Sequence, residues 1–475
     1  MTSRPTTAIH ARPRTGPARM TLALVSACQF MVILDSSIVN VALPSIDREL
    51  GFASTGLAWV VNGYLLTFAG LMLLGGRAAD LFGRRRALTA GLVLFTASSL
   101  AAGLAAVPAV LVAARLTQGV GAALLAPATL AVINTGFAEG RERARALGAW
   151  SAAGGVGGMA GALAGGALTT GLSWRWVFLI NVPVGVALIA TAVRALPGTR
   201  TAGREGLDLA GAVTGTAGLA ALIYGIMHGA GHGWTSAPVL APVAAGLLLL
   251  AVFAVVEARF AAQPMMPPRL LRSRGVAAGT GSLLLFGGIT IAMWYFTSLF
   301  LQNVLGYGAL RAGLGQTPAA VTFMVVARAA GVLLPRAGVR PLILAGGACF
   351  VAGFGWLAQA GAGSGYLTAV LGPTLLVATG IGLVFPTLMA ATTAGAPGGD
   401  AGAAGGLAQT AGQAGGSLGL AVLATAATQA SAGGSSPAAL AAGYDRVFLI
   451  AAGLGAAVAA AGLLLPRRPP PPAQR

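Results

Sequence analysis

The chain contains no lysine, only 11 acidic residues, two cysteines and three histidines, and each shortage removes a class of function. Cys28 and Cys349 both fall inside apolar segments, which argues against a structural disulfide and leaves no thiolate metal site. His228 and His232 are four apart, but glycines surround them and no third ligand is evident, while His10 lies in the N-terminal tail. No Gly-rich loop ends in Gly-Lys-Ser/Thr, and no soluble domain hides between the apolar segments, so the chain carries no ATP-hydrolysing engine. Neither a nucleophile with its base nor a cofactor loop stands out, so an enzyme is not expected. Charged residues make up 8% of the chain, against about 25% in a soluble domain.

What is present is apolar: 56% of 475 residues are hydrophobic, enough for more than a dozen membrane spans. The 72 glycines follow no collagen period and lie within the apolar segments, where small residues let helices approach closely in lipid. A net charge of +18 would suggest nucleic acid if the arginines formed one face. They occupy short loops at every second junction instead, and the basic stretches lack the interleaved aromatics that stack bases.

Apolar runs place fourteen spans, the first near 20–43 and the last near 446–465. The run at 313–334 is interrupted by Pro318 and Arg328. With this assignment 23 of the 29 arginines fall on one side and four on the other, which puts both termini in the cytoplasm. The expected layout is a tail (1–19), a six-helix bundle (20–196), a linker with two extra helices (197–274), a second six-helix bundle (275–465) and a Pro/Arg-rich tail (466–475). Two bundles around a central pathway suit alternating access.

The stretch from Gln29 to Pro44 carries Asp35 in the middle of the first span, the only acid so placed in this assignment. An ionisable group at that depth marks an ion or substrate pathway by default, with a structural carboxylate as the alternative. Arg115, in span four, falls at similar depth in the outward half, so the two could pair or compete for one pocket. An arginine that approaches and leaves a carboxylate changes its proton affinity, which gives a means of coupling protons to opening. Gln118, one turn from Arg115, could orient it.

The loop Gly75 to Arg86 reads GGRAADLFGRRR. Gly75, Gly76 and Gly83 permit a tight turn, Asp80 can cap a helix or pair with arginine, and Arg84 to Arg86 suit anionic headgroups. Together they suggest a latch between helix ends. Span five is lined by Gly157, Gly161, Gly165 and Gly166, read either as a packing hinge or as general glycine enrichment. Asn40, Gln409 and Gln413 are candidate pathway-lining residues. Several aromatics, among them Trp59, Trp294 and Tyr295, suit either a cation-binding wall or an interfacial belt.

At these positions the chain resembles the major facilitator superfamily, in particular its fourteen-span drug:proton antiporters. The first-helix run Leu34-Asp35 with Ile38 to Pro44, the loop residues Gly76, Asp80, Gly83, Arg84 and Arg85, and Arg115, Gln118, Gly119 and Gly121 carry the likeness. The fifth-helix antiporter motif is similar through Gly157, Gly161, Gly165 and Gly166, with Ala162 where a proline is usual. The stretch Trp174, Arg175, Trp176, Phe178, Asn181, Pro183 and Gly185 is typical of the fourteen-span branch.

The resemblance implies an all-α integral membrane protein with a major facilitator type fold, two six-helix bundles plus two additional helices. It implies proton-coupled efflux of drugs, antibiotics or similar amphiphiles across the cytoplasmic membrane of a bacterium, with Asp35 and Arg115 in proton coupling. Export of one endogenous metabolite is the alternative, and a non-transporting sensor or scaffold a more distant one. Protons serve as coupling ion, with no cofactor and no metal. Expected partners are a small lipophilic or cationic substrate and membrane lipids, not nucleic acid, with the chain acting as a monomer. The lack of an acid in the middle of the later spans favours a neutral or singly charged substrate over a divalent cation.

Overall fold

Inside a bilayer the backbone has no water to bond, so each apolar segment must satisfy its own amides, and it does so as a helix. The computed structural model describes residues 15–52, 56–138, 141–196, 208–261, 264, 266, 268–396 and 400–465. The far N-terminal tail, most of the junction before residue 208 and the Pro/Arg-rich C-terminal tail lie outside the described residues.

The first half comprises α1 (Thr15–Leu50), α2 (Ala58–Phe82), α3 (Arg84–Gly103), α4 (Pro108–Gly136), α5 (Arg141–Gly171) and α6 (Trp176–Ala195). Two further helices follow, α7 (Leu209–His232) and α8 (Ala237–Phe260). The second half comprises α9 (Arg274–Val304), α10 (Ala309–Ala337), α11 (Val339–Leu357), α12 (Leu367–Ala394), α13 (Ala401–Ala430) and α14 (Pro437–Gly462). Twelve of these are long and apolar enough to cross a membrane. The other two, α5 and α13, have 31 and 30 residues, but glycine dilutes their hydropathy.

Contacts between helix ends show how the chain alternates. One end gathers Arg84 with Thr135, Ser273 with Gly395, and Arg340 with Leu465. The opposite, distal end gathers Glu49 with Trp174, Arg175 with Ala105, and Thr170 with Leu310. In the first half, α1 packs on α5, and α4 on both α2 and α3; in the second, α9 packs on α13, and α11 on α12 and α14. The halves meet along α5–α10, α2–α13 and α1–α9. The extra helices pair with each other, and α7 lies across the α2–α13 seam, where Asn62 and Thr425 reach its Met227 and Ile226.

Four sequence expectations change. Helix α10 runs unbroken through Pro318 and Arg328, because neighbouring helices hold it. Helix α1 begins at Thr15, inside the expected tail. Gly75 and Gly76 make no turn: both lie within α2, and Gly75 lets α2 approach the Ala123 carbonyl of α4, where a Cβ would lie 2.0 Å from that oxygen. Only Gly83, at φ 90°, makes the turn into α3. Helix α14 starts at Pro437 with Ser436 as its cap, which draws Asp445 and Arg446 two turns into the helix. A half-buried acid therefore does occupy a later span, and the expected lack of one is corrected.

Candidate functional site

Asp35 is fully buried in α1, and its carboxylate accepts hydrogen bonds from three side chains on two other helices of the first half. Arg115 Nη1 of α4 lies 2.7 Å from Asp35 Oδ2. Gln118 Nε2 of the same helix donates to Asp35 Oδ1 at 2.8 Å, and Asn181 Nδ2 of α6 donates to that oxygen at 2.9 Å. The i, i+3 spacing of Arg115 and Gln118 puts both on one face. Gln118 Oε1 accepts from Arg115 at 2.7 Å, and its Nε2 also donates to Ser99 Oγ of α3 at 2.7 Å.

The guanidinium is held from other directions as well. Its Nε donates to the Val60 carbonyl of α2 at 2.9 Å, and its carbon lies 4.3 Å from the Tyr64 ring centre and 5.7 Å from that of Phe178. Ring faces attract a desolvated cation, which adds to the attraction of the carboxylate. Arg115 is 1% exposed, so this is a closed ion pair rather than a surface one. Gly119 permits the close approach of α4 to α2: a Cβ there would lie 2.4 Å from the Tyr64 carbonyl oxygen. Gly121 plays the same part toward Phe95 of α3.

The glycines of α5 form two contact lines. Gly157, Gly161 and Gly165, at i, i+4, i+8, face the α1 backbone at Phe30, Leu34 and Ile38, where a Cβ would meet carbonyl oxygens at 2.7, 2.9 and 2.6 Å. Gly166 faces Ala309 and Leu310 of α10 across the seam, and Gly313 of α10 faces the Ala162 carbonyl. Helix α5 remains continuous at Ala162.

The seam is sealed by hydrogen bonds toward the distal end. Pro44 lacks an N–H, so the Asn40 carbonyl one turn before it loses its helical donor. Ser298 Oγ of α9 donates to that oxygen at 3.2 Å, and Gln302 Nε2 donates to the Val41 carbonyl at 3.1 Å. Both donors lie on a part of α9 that widens into π-turns at Ala292–Phe296 and Phe300–Val304, a deviation frequent at functional sites. Ser417 Oγ of α13 reaches Asn62 Oδ1 of α2 at 3.0 Å.

The remaining sequence candidates are placed as follows. Asp80 sits exposed in the last turn of α2 and caps no helix, while Arg84 Nη1 donates to Thr135 Oγ1 at 2.6 Å. Gly76 makes only ordinary contact with Pro127. The Asn40 side chain is buried, and its Oδ1 has no partner among the described residues. Gln409 and Gln413 are half-buried on α13, whereas Gln118 is spent within the Asp35 network. His228 packs at a tilt between Tyr224 and His232 on the last turns of α7, which ends at Gly233, φ 78°. Sequence reasoning missed the part played by Asn181, Ser99 and Tyr64. Asn181 was visible as a lone amide in an apolar run beginning α6, one turn after Val177.

A sequence profile of the Major Facilitator Superfamily matches residues 25–420. The chain is 46% identical over 434 residues to a cephamycin export protein of Amycolatopsis lactamdurans, covering 90% of this chain and 89% of that protein. It is 39% identical over 390 residues to a puromycin resistance protein of Streptomyces alboniger, covering 79% and 75%. Among solved structures, a peptide transporter in complex with sulfate superposes with a TM-score of 0.68 at 16% identity, covering 94% of this chain and 95% of that one, a likeness of fold alone. With its two helical bundles and its buried ion pair, the chain belongs to the Major Facilitator Superfamily, as a secondary-active transporter and not an enzyme.

Proposed function

We propose that the protein exports a small amphiphilic, antibiotic-like compound across the cytoplasmic membrane in exchange for protons, with both termini in the cytoplasm. The observation that carries the reading is the Asp35 network: a buried carboxylate satisfied by one cation and two amides, on the helix that also seals the distal seam.

Protonation of Asp35 removes the charge that compensates Arg115. A buried cation without its counter-charge is unfavourable by several kcal/mol, so the bundle must let Arg115 move or admit water. Inward passage of each proton supplies about 2.3 kcal/mol per 100 mV of membrane potential, with any pH gradient added. Helix α1 passes the change to the second bundle through the Asn40 and Val41 carbonyls. The seam bonds between the bundles fit a state closed at the distal end, from which release of Ser298 and Gln302 opens the pathway outward. The substrate we favour is a lipophilic neutral or singly charged molecule, with the half-buried Asp445 of α14 as a candidate contact for a cationic group.

A dedicated exporter of one antibiotic-type metabolite is the second reading, favoured by the 46% identity to a protein named for cephamycin export. Purified protein in sealed, oriented vesicles, challenged with a panel of antibiotics, tests both. Proton flux driven by a compound and lost in Asp35→Asn supports the exchange, and response to a single compound selects the dedicated exporter. Drug movement without proton movement, or coupling unchanged in Asp35→Asn, refutes the role of this carboxylate.

A further inference from the structure

Away from the ion pair, the outer surface of the first bundle carries a groove of about 730 Å³ between α3, α4 and α6, lined by Arg85, Arg86, Thr89, Leu94, Leu124 and Val193 among others. Its lining on α3 extends from Arg85 to Ala97. Twelve residues of helix cover about 18 Å, close to the depth of one leaflet, half of a hydrocarbon core of about 30 Å. Below the arginines its side chains are apolar except for Thr89, and Val93 and Val193 are well exposed, as on a lipid-facing surface.

Three features distinguish the groove from an ordinary lipid-facing surface. Arg84 is engaged with Thr135, but Arg85 and Arg86 make no hydrogen bond or ion pair among the described residues. Two uncompensated cations thus stand at the end of α3 where a leaflet's headgroups lie. One turn below Arg85, the Thr89 hydroxyl is buried and has no partner among the described residues, although Thr117, Thr135 and Thr191 all donate back to the carbonyl four residues earlier. Below it comes apolar lining that covers about 12 Å of α3, enough for the upper part of an acyl chain. Cations, one hydroxyl donor and an apolar slot, in that order of depth, complement a phosphate, a glycerol ester and a chain.

We infer that this groove is a binding site for one anionic phospholipid, its phosphate on Arg85 and Arg86, its ester on Thr89, and one acyl chain lying along α3 against Leu124 and Val193. The site lies directly after the Gly83 turn, so the bound headgroup holds the start of α3.

The test is retention of lipid by the detergent-solubilised full chain, titrated with dioleoyl phosphatidylglycerol or dioleoyl phosphatidylcholine and read by native mass spectrometry. Two arginines at about 1 kcal/mol each give the anionic lipid a preference of about 30-fold at a single saturable site. Arg85→Gln with Arg86→Gln is expected to erase that preference, and Arg85→Lys with Arg86→Lys to keep most of it. Arg272→Gln with Arg274→Gln, at the start of the second bundle, should leave it intact. Ala97→Trp, filling the deep end of the slot, should lower retention of both lipids. Equal retention of the two lipids by the parent overturns the inference, as does a preference that survives Arg85→Gln with Arg86→Gln.

Discussion

Removing either partner of the Asp35–Arg115 pair is expected to cost about 3–5 kcal/mol, and removing both to cost much less than the sum. The magnitude follows from what each change strands. In Arg115→Met, Asp35 Oδ2 loses the cation 2.7 Å away and keeps only the amides on Oδ1, while Gln118 Oε1 loses its donor. In Asp35→Asn, the new amide nitrogen faces groups that all donate toward position 35, and a 1%-exposed guanidinium is left with Val60, Gln118 and the Tyr64 ring. The double variant holds no uncompensated charge. Its coupling energy is expected at about 2–3 kcal/mol, the upper range for residues in direct contact. Reversible unfolding in mixed micelles titrated with dodecyl sulfate, followed by tryptophan fluorescence, measures the four free energies. Single costs that add to within about 0.5 kcal/mol would refute the closed pair.

Further expectations concern the surroundings of that pair. Asn181→Leu removes one donor to Asp35 and should cost about 1.5–3 kcal/mol of stability, as for a hydrogen bond to a charged group, and shift the pH at which transport is half-maximal; an unchanged pH profile would reduce Asn181 to packing. Gly161→Val drives a side chain into Ser37 and the Leu34 carbonyl, so folded yield and transport should collapse, whereas Gly148→Ala, with nothing within 4 Å, should behave as the parent. Pro44→Ala restores an N–H that competes with Ser298 for the Asn40 carbonyl, and should increase labelling of a cysteine placed at the distal seam. Thr170→Cys with Leu310→Cys, in a background lacking Cys28 and Cys349, should form a disulfide on oxidation and stop export reversibly; full activity after cross-linking would show that the distal contact need not open.

The helices were legible because hydropathy and arginine placement report the bilayer directly, and the depths of Asp35 and Arg115 put them at one level. Depth says nothing about rotation, so contact between them, and the presence of Asn181 and Ser99, had to come from packing. Pro, Ser and Gly before Asp445 resemble a loop in sequence, whereas Pro437 and Ser436 begin the helix as first-turn residue and cap and so draw Asp445 inside it. Gly75 and Gly76 suit a turn as well as a helix by sequence, but in lipid a glycine within a helix more often marks where a neighbour's backbone comes close. Dilution by glycine likewise left α5 and α13 outside the twelve helices apolar enough to cross a membrane on composition, although their contacts are among the closest in the fold.

The seam donors on α9 address carbonyls of α1 rather than its side chains, and this sets what kinds of genetic change the first helix can absorb. Any residue offers a carbonyl, so substitutions at positions 40 and 41 leave the acceptors in place. A length change is different. One codon gained or lost between Asp35 and Asn40 would rotate the two parts of the helix by about 100° relative to each other, turning either the carboxylate from Arg115 or the carbonyls from Ser298 and Gln302. Among descendants of this gene, the number of residues between Asp35 and Asn40 should therefore stay fixed even where their identities change.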